Sequence, residues 1–202
     1  MWIKYASLTL ALLLLSGCSL FATKPKLQDG AVDYSKPIPS ALTEAYNQGL
    51  ELMQKEQYPE AEQHWQSTAS QWPQFPGVWS NLALAQWHLE QYDEGLASTE
   101  KALELNKNFC PGIKVHALLV KEKGLFKEAL ADYQTAALCA PKDADIPYNM
   151  GIIYDLYLQD LSQALTHYTR AQELLTEEDA NLTMWIADIQ NRQPTRIAGE
   201  AE

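Results

Sequence analysis

Apolar and small residues recur at helical spacing in the stretch Val78–Asn108. They stand at Trp79, Leu82 and Ala83 before a short polar turn, and at Gly95, Leu96, Ala102 and Leu103 after it. This spacing gives each of the two segments one apolar face and one polar face. The stretch therefore predicts two amphipathic helices that pack face to face as a helical hairpin.

The same pattern returns along the chain with a period of 34 residues. Tyr92, Gly95 and Ala102 correspond to Phe126, Ala129 and Ala136 downstream and to Tyr58, Ala61 and Thr68 upstream. Self-similarity at a fixed period predicts an array of stacked hairpins in which each unit contacts its neighbours.

An aromatic at the turn, a small residue just after it and another small residue seven positions on resemble the tetratricopeptide repeat. The resemblance implies an all-α fold, a tetratricopeptide-type α-solenoid over residues 41–193. Its four helical hairpins would span residues 42–75, 76–109, 110–143 and 144–178, followed by a C-terminal capping helix over 179–193. The resemblance also implies that this stack binds peptides or partner proteins.

The fourth repeat carries one extra residue, because Ala164 lies 35 residues after Ala129. The segment Tyr154–Asp160 has to absorb it. An extra helical residue or a bulge would place an aromatic there as a local contact site. A simple loop insertion is the alternative, since connecting segments accept length changes easily.

A last helix is predicted after Thr176. Thr176 with Asp179 three residues on gives a start like a capping box. Apolar residues then follow at helical spacing, at Leu182, Trp185, Ile186 and Ile189. This helix would cover the apolar end of the stack, as repeat arrays require. Residues 194–202 show no periodicity and are predicted to form a disordered tail.

The first residues resemble a bacterial lipoprotein signal peptide over residues 1–17. Lys4 supplies positive charge, Ala6–Leu15 is apolar but too short for a resident membrane helix, and Leu-Ser-Gly precedes Cys18. The resemblance implies that Cys18 becomes the first mature residue and carries covalent lipid with palmitate-type chains. An ordinary secretory signal with an incidental cysteine is the alternative.

Residues 18–40 are predicted to form a lipidated flexible tether. Prolines interrupt any helix there, at Pro25, Pro37 and Pro39. Ser19 follows the lipidated position, where an Asp would favour retention at the inner membrane in the enterobacterial sorting rule. We therefore expect an anchor in the outer membrane, with the protein facing the periplasm.

Cys110 and Cys139 are the cysteines left for pairing in an oxidising periplasm. Cys110 opens the first helix of the third hairpin and Cys139 closes the second. The two ends of a hairpin lie on the same side, so we expect a disulfide. Two buried free thiols are the alternative.

Composition and charge narrow the class of partner. An apolar content of 47% is enough for a packed core, and a net charge of -11 makes nucleic acid an unfavourable partner.

The histidines are scattered through different repeats, at His64, His88, His116 and His167, without metal-ligand spacing. No catalytic or nucleotide-binding motif is present. We predict no enzyme activity, no metal, and no cofactor apart from the lipid on Cys18.

The inner faces of the first helices define the candidate partner-binding groove. Its predicted residues are Tyr46, Leu50, Met53, Asn81, Leu84, Trp87, Lys114, Leu118, Lys121, Tyr148, Asn149 and Ile152. Asn81 and Asn149 occupy equivalent repeat positions, and their amides could bond the backbone of an extended peptide. The aromatic residues offer large contact area, although they would equally fill space inside the superhelix.

The resemblance also excludes one ligand class. Tetratricopeptide domains that clamp a peptide carboxylate use Lys, Asn and Arg on their first helices, and here Asn81 alone matches. Tyr46, Leu50, Pro111 and Val115 stand where several of the others would be. The groove is expected to be mainly apolar and amide-based.

Together these features favour a membrane-anchored periplasmic adaptor or scaffold lipoprotein that binds a protein or peptide partner in the cell envelope. The layout resembles lipoproteins that assist pilus secretins and those that scaffold peptidoglycan enzymes. The fourth repeat and the cap are similar to lipoproteins of TonB-type systems. A self-associating structural envelope lipoprotein, and hence a homo-oligomer, is the alternative.

Overall fold

The structure is a computed structural model that describes residues 37–192. It consists of helices α1 (Ser40–Gln54), α2 (Tyr58–Gln71), α3 (Pro76–His88), α4 (Tyr92–Leu105), α5 (Cys110–Glu122), α6 (Phe126–Cys139), α7 (Asp145–Ile152), α8 (Leu161–Leu174) and α9 (Ala180–Arg192), with a π-helical segment at Ile153–Tyr157. No helix within residues 37–192 is long and apolar enough to cross a bilayer. The predicted signal peptide, Cys18, most of the predicted tether and the tail at 194–202 lie outside the described residues.

Consecutive helices pack in pairs, α1 with α2, α3 with α4, α5 with α6 and α7 with α8, and α9 packs on α8. The second helices begin at Tyr58, Tyr92 and Phe126, the aromatic positions that define the sequence period. The predicted all-α solenoid of helical hairpins is confirmed for residues 37–192. The first helix begins at Ser40, so the last residue of the predicted tether is helical.

Small residues allow the paired helices of the first and fourth hairpins to approach closely. Gly49 faces the ring of Trp65, and Gly151 faces the ring of Tyr168; a Cβ atom on either glycine would overlap the ring. Both rings are fully buried. Because interiors are close-packed, the absent Cβ is what makes room for each aromatic side chain.

The turns between paired helices contain one residue in the left-handed conformation. These residues are Glu56 (φ 57°), Glu90 (φ 60°), Gly124 (φ 77°) and Gln159 (φ 55°). In the first three turns the backbone N–H of the next residue donates to a carbonyl in the last turn of the preceding helix. These hydrogen bonds, of 2.9 to 3.0 Å, run from Gln57 to Leu52, from Gln91 to Gln86 and from Leu125 to Val120. The left-handed residue is therefore part of a repeated helix-ending motif, for which glycine is the favoured residue.

Replacing the left-handed glycine by alanine and a left-handed glutamate by glycine should change the free energy of unfolding in opposite directions. Gly124→Ala should lower the free energy of unfolding by about 1 kcal/mol, because a Cβ is disfavoured at positive φ and nothing lies within 4 Å of the position. Glu90→Gly should raise it by about 0.5 kcal/mol, since relief of that strain exceeds the added entropy of the unfolded chain. Urea unfolding followed by circular dichroism measures both, and equal losses in the two variants would contradict this explanation.

The inserted residue of the fourth repeat lies inside the helix. Leu158 N donates to Ile153 O at 3.0 Å, five residues back, which is the hydrogen bond of a π-helix. The ring of Tyr157 stacks on Phe126 of the preceding hairpin, with centroids 4.2 Å apart. Of the two alternatives, an extra helical residue with an aromatic contact describes the structure.

The start of the capping helix differs from the prediction. The carboxylate of Asp179 accepts hydrogen bonds from Asn181 N at 2.9 Å and Leu182 N at 3.0 Å. Asp179 is therefore the capping residue of α9, and the prediction that Thr176 caps this helix is wrong. An Asp carboxylate immediately before the first turn satisfies the free N–H groups there, which leaves no role for a hydroxyl three residues earlier.

Candidate functional site

The first helices of the second, third and fourth hairpins enclose a groove of about 420 Å³. We call it the α3–α5–α7 groove. Its lining residues are Leu84, Trp87, Lys114, Val115, Leu118, Lys121, Asp145, Tyr148, Asn149 and Ile152. A predominantly apolar concavity with a few polar groups is the usual form of a binding site.

Eight of the predicted groove residues line this groove: Leu84, Trp87, Lys114, Leu118, Lys121, Tyr148, Asn149 and Ile152. The structure brings them together because residues that recur at the repeat period lie side by side on adjacent first helices. Sequence reasoning missed Val115 and Asp145 as lining residues. Val115 lies midway between the equivalent residues Asn81 and Asn149, and Asp145 lies one helical turn before Asn149, so both signals were present.

The other four predicted residues lie away from the groove. Tyr46 lines a separate cavity of about 320 Å³ beside Phe75 and Phe109. Asn81 Nδ2 donates to the Tyr46 hydroxyl at 2.7 Å. Met53 is half-buried against the core of the first hairpin, and Leu50 is exposed.

Asn149 is also engaged within the chain. Its Nδ2 donates to the backbone carbonyl of Asp145 at 2.9 Å, and its Oδ1 accepts from Lys121 Nζ at 3.0 Å. An extended peptide would have to compete with these bonds for the amide. Asn149 therefore orients Lys121 in this state.

The two lysines of the groove are held by acceptors of the chain. Lys114 Nζ donates to Asp143 Oδ2 at 2.7 Å and to Asp145 Oδ2 at 3.3 Å. Burial alone would lower the pKa of Lys114, but the hydrogen bond to Asp143 and the charges of both carboxylates raise it above its ordinary value. Lys114 is therefore a fully charged group at neutral pH.

Tyr148 connects the groove to the end of the solenoid. Its ring stacks on Trp185 of α9, with centroids 6.0 Å apart, and lies 6.3 Å from Tyr168. Burial raises the pKa of Tyr148, and the charge of Asp179 adds to the shift. The capping helix thus supports one wall of the groove.

Trp87 forms the opposite wall. Its ring lies edge-on to His88 at 4.7 Å, and it packs against the cluster of Ala83, Val115 and Leu119. Its indole Nε1 is buried and has no hydrogen-bond partner within residues 37–192. The side chain contributes apolar surface to the groove.

Three histidines of the hairpins, His88, His116 and His167, are in contact with other side chains of the chain. His116 Nδ1 lies 2.7 Å from Asp132 Oδ2, and this hydrogen bond raises the pKa of His116. His88 and His167 stack on Tyr58 and Tyr154, and burial lowers the pKa of both histidines. Within residues 37–192, no three His, Cys, Asp or Glu side chains are grouped so as to hold a metal ion.

Cys110 and Cys139 are joined by a disulfide, with Cα atoms 6.3 Å apart. Cys110 is the first residue of α5 and Cys139 the last of α6. The bond therefore closes the open end of the third hairpin, the hairpin whose first helix carries Lys114, Leu118 and Lys121.

Comparisons with known proteins agree with this architecture. The tetratricopeptide repeat family profile matches residues 46–108. The soybean (Glycine max) Hsp70-Hsp90 organizing protein 1 is 27% identical over 108 residues, which are 54% of this chain and 19% of that protein's length.

Solved structures are similar over most of the described residues. YrrB, a tetratricopeptide protein with an unusual peptide-binding site, is 25% identical, and the match covers 74% of this chain and 75% of that one with a TM-score of 0.58. PilF of Pseudomonas aeruginosa is 15% identical, with coverages of 76% and 69% and a TM-score of 0.67. MamA of Desulfovibrio magneticus is 18% identical, with coverages of 77% and 87% and a TM-score of 0.62. Residues 37–192 therefore share the fold of these solved structures, an α-solenoid of helical hairpins.

Proposed function

We propose that this chain is a non-enzymatic scaffold that holds a segment of a partner protein in the α3–α5–α7 groove. The groove itself carries the proposal, because it combines about 420 Å³ of space with apolar walls from three successive hairpins. Tetratricopeptide proteins are generally protein-interaction scaffolds. A peptide-binding site in the 25% identical YrrB supports the same use of the fold here.

The groove is preorganised for binding. Trp87 and Tyr148 are each fixed by further aromatic contacts, to His88 and to Trp185. Side chains that are already ordered lose little conformational entropy when a partner docks. Large, rigid aromatic groups are also the side chains that contribute most to protein interfaces.

The proposed site of action is the bacterial envelope. Cys18 would carry the lipid that anchors the protein in the outer membrane, with the solenoid in the periplasm. The partner would then belong to an envelope machine, such as a pilus or secretin assembly, a peptidoglycan-synthesising complex or a TonB-type system. The basis is the resemblance of residues 1–18 to a lipoprotein signal.

The anchor has a direct test. Cys18→Ser should release the protein from membranes into the soluble periplasmic fraction, because the thiol that would accept lipid is gone. Fractionation of native cells followed by immunodetection measures this. Continued recovery of the serine variant with the membranes would refute lipid anchoring.

Site-specific photocrosslinking in native cells tests the proposed binding function. A benzophenone amino acid at Leu118 lies in the groove, and one at Leu138, whose side chain is 86% exposed, lies outside it. We expect a discrete crosslinked partner from position 118 and not from position 138. The same crosslinks from both positions, or none from position 118, would overturn the proposal.

A further inference from the structure

The charged groups of the α3–α5–α7 groove differ sharply in how they reach solvent. The side chains of Lys121 and Lys114 are 10% and 29% exposed, whereas that of Asp145 is 73% exposed. Both lysines lie on the inner face of α5, where they would be the groups to bind an anionic ligand. In the structure, the most accessible charge of the groove is a carboxylate.

Both lysine ammonium groups are paired with acceptors of the chain. Lys114 is bound by Asp143 and Asp145, and Lys121 by Asn149 Oδ1 at 3.0 Å and Glu122 Oε1 at 3.3 Å. Each ammonium group keeps one of its three N–H donors, but the nearby carboxylates already balance the lysine charges. An anionic ligand would also be repelled by the carboxylates beside the lysines, those of Asp143, Asp145 and Glu122.

Asp145 retains capacity for a further hydrogen bond. Its Oδ2 accepts from Lys114, and no donor within residues 37–192 bonds its Oδ1. Asp143 is different, because its Oδ2 accepts from Lys114 and its Oδ1 from the backbone N–H of Asp145. A cationic group that enters the groove would therefore meet Asp145 first.

We infer that the groove selects a partner segment in which a lysine or arginine side chain adjoins apolar ones. This inference rests on the proposed function and names the chemistry of its ligand. The cation pairs with the free carboxylate oxygen of Asp145, and the apolar side chains pack on Leu84, Leu118 and Ile152, which line the same groove.

The charge of the whole chain supports the same ligand. A net charge of -11 attracts basic segments at long range and repels acidic ones, which raises the rate of encounter with the selected class. Binding should accordingly weaken as salt is raised, since Asp145 remains largely in contact with solvent.

A library of random twelve-residue peptides displayed on phage, selected against the full chain, tests this inference. Enriched peptides should contain lysine or arginine beside apolar residues. Asp145→Asn should weaken their binding about twofold to fivefold, and Asp145→Lys should shift enrichment to peptides with aspartate or glutamate. Asp93→Asn makes the same charge change at an exposed residue that pairs with Lys123 and does not line the groove, so it should have no effect.

The outcomes separate the inference from the proposed function. Enrichment of acidic peptides by the unchanged chain, or basic peptides that bind the Asp145 and Asp93 variants equally well, would overturn the inference and leave the binding function in place. No enrichment above a blank surface would overturn both. Helical content and the thermal midpoint of each variant, measured beforehand, ensure that folded proteins are compared.

Discussion

Replacing Cys110 and Cys139 together by serine should lower the free energy of unfolding by about 3 to 4 kcal/mol. The two residues are 29 apart in sequence, and the disulfide closes that loop in the unfolded chain as well as in the folded one. In the chain-entropy model, a loop of this length gives a loss of this size when the crosslink is removed. The loss should be concentrated in the third hairpin, whose open end the bond joins.

Guanidinium unfolding with and without a thiol reductant measures this effect. The unchanged protein should lose stability on reduction, and the double-serine variant should not respond to the reductant at all. The two proteins should then unfold at about the same denaturant concentration. A double-serine variant as stable as the oxidised protein would show that the bond does not constrain the unfolded chain.

Trp65→Ala should cost about 3 to 5 kcal/mol, the range for removing a large buried aromatic side chain. Trp65 is completely buried between the helices of the first hairpin, where its ring occupies the space that Gly49 leaves. Tyr46 packs edge-on to the same ring, with centroids 5.1 Å apart. The variant therefore loses the core of the hairpin at the amino-terminal end of the described solenoid.

Trp79→Ala is the matched control. The indole of Trp79 is only partly buried and donates to the carbonyl of Pro73 at 2.7 Å. Its removal should cost no more than about 2 kcal/mol, the sum of one hydrogen bond and partial packing. Urea unfolding followed by circular dichroism compares the two, and equal losses would contradict the role given to the Gly49 and Trp65 pair.

The hairpins could be predicted because the residues that repeat every 34 positions are those that the packing of paired helices requires, an aromatic at the turn and small residues between the helices. Tyr58, Tyr92 and Phe126 each open a second helix as the period predicts. The extra residue of the fourth repeat was confined by the same period to Tyr154–Asp160. Whether this residue enters the helix or the loop depends on the balance between the hydrogen bonds of a π-helical segment and the entropy of a longer loop, which the sequence does not show.

The groove was predicted in part for the same reason. Repeat-equivalent positions identify which faces of the first helices share the inner side, and eight of the proposed residues line it. Their hydrogen-bond partners could not be predicted, because they depend on side chains that meet across repeats. Lys114 with Asp143 and Lys121 with Asn149 join residues 29 and 28 apart in sequence, and these pairs decide which charges remain accessible.

The central claim is that the α3–α5–α7 groove binds a segment of a partner protein. A binding measurement with the purified partner, once crosslinking has identified it, tests this claim most directly. Leu118→Trp fills the α3–α5–α7 groove, and Leu138→Trp adds the same bulk at an exposed position of α6 that does not line this groove. Isothermal titration of the full chain should show affinity reduced at least about tenfold by the first change and unchanged by the second. Equal affinity of both variants for the partner would contradict binding in the groove.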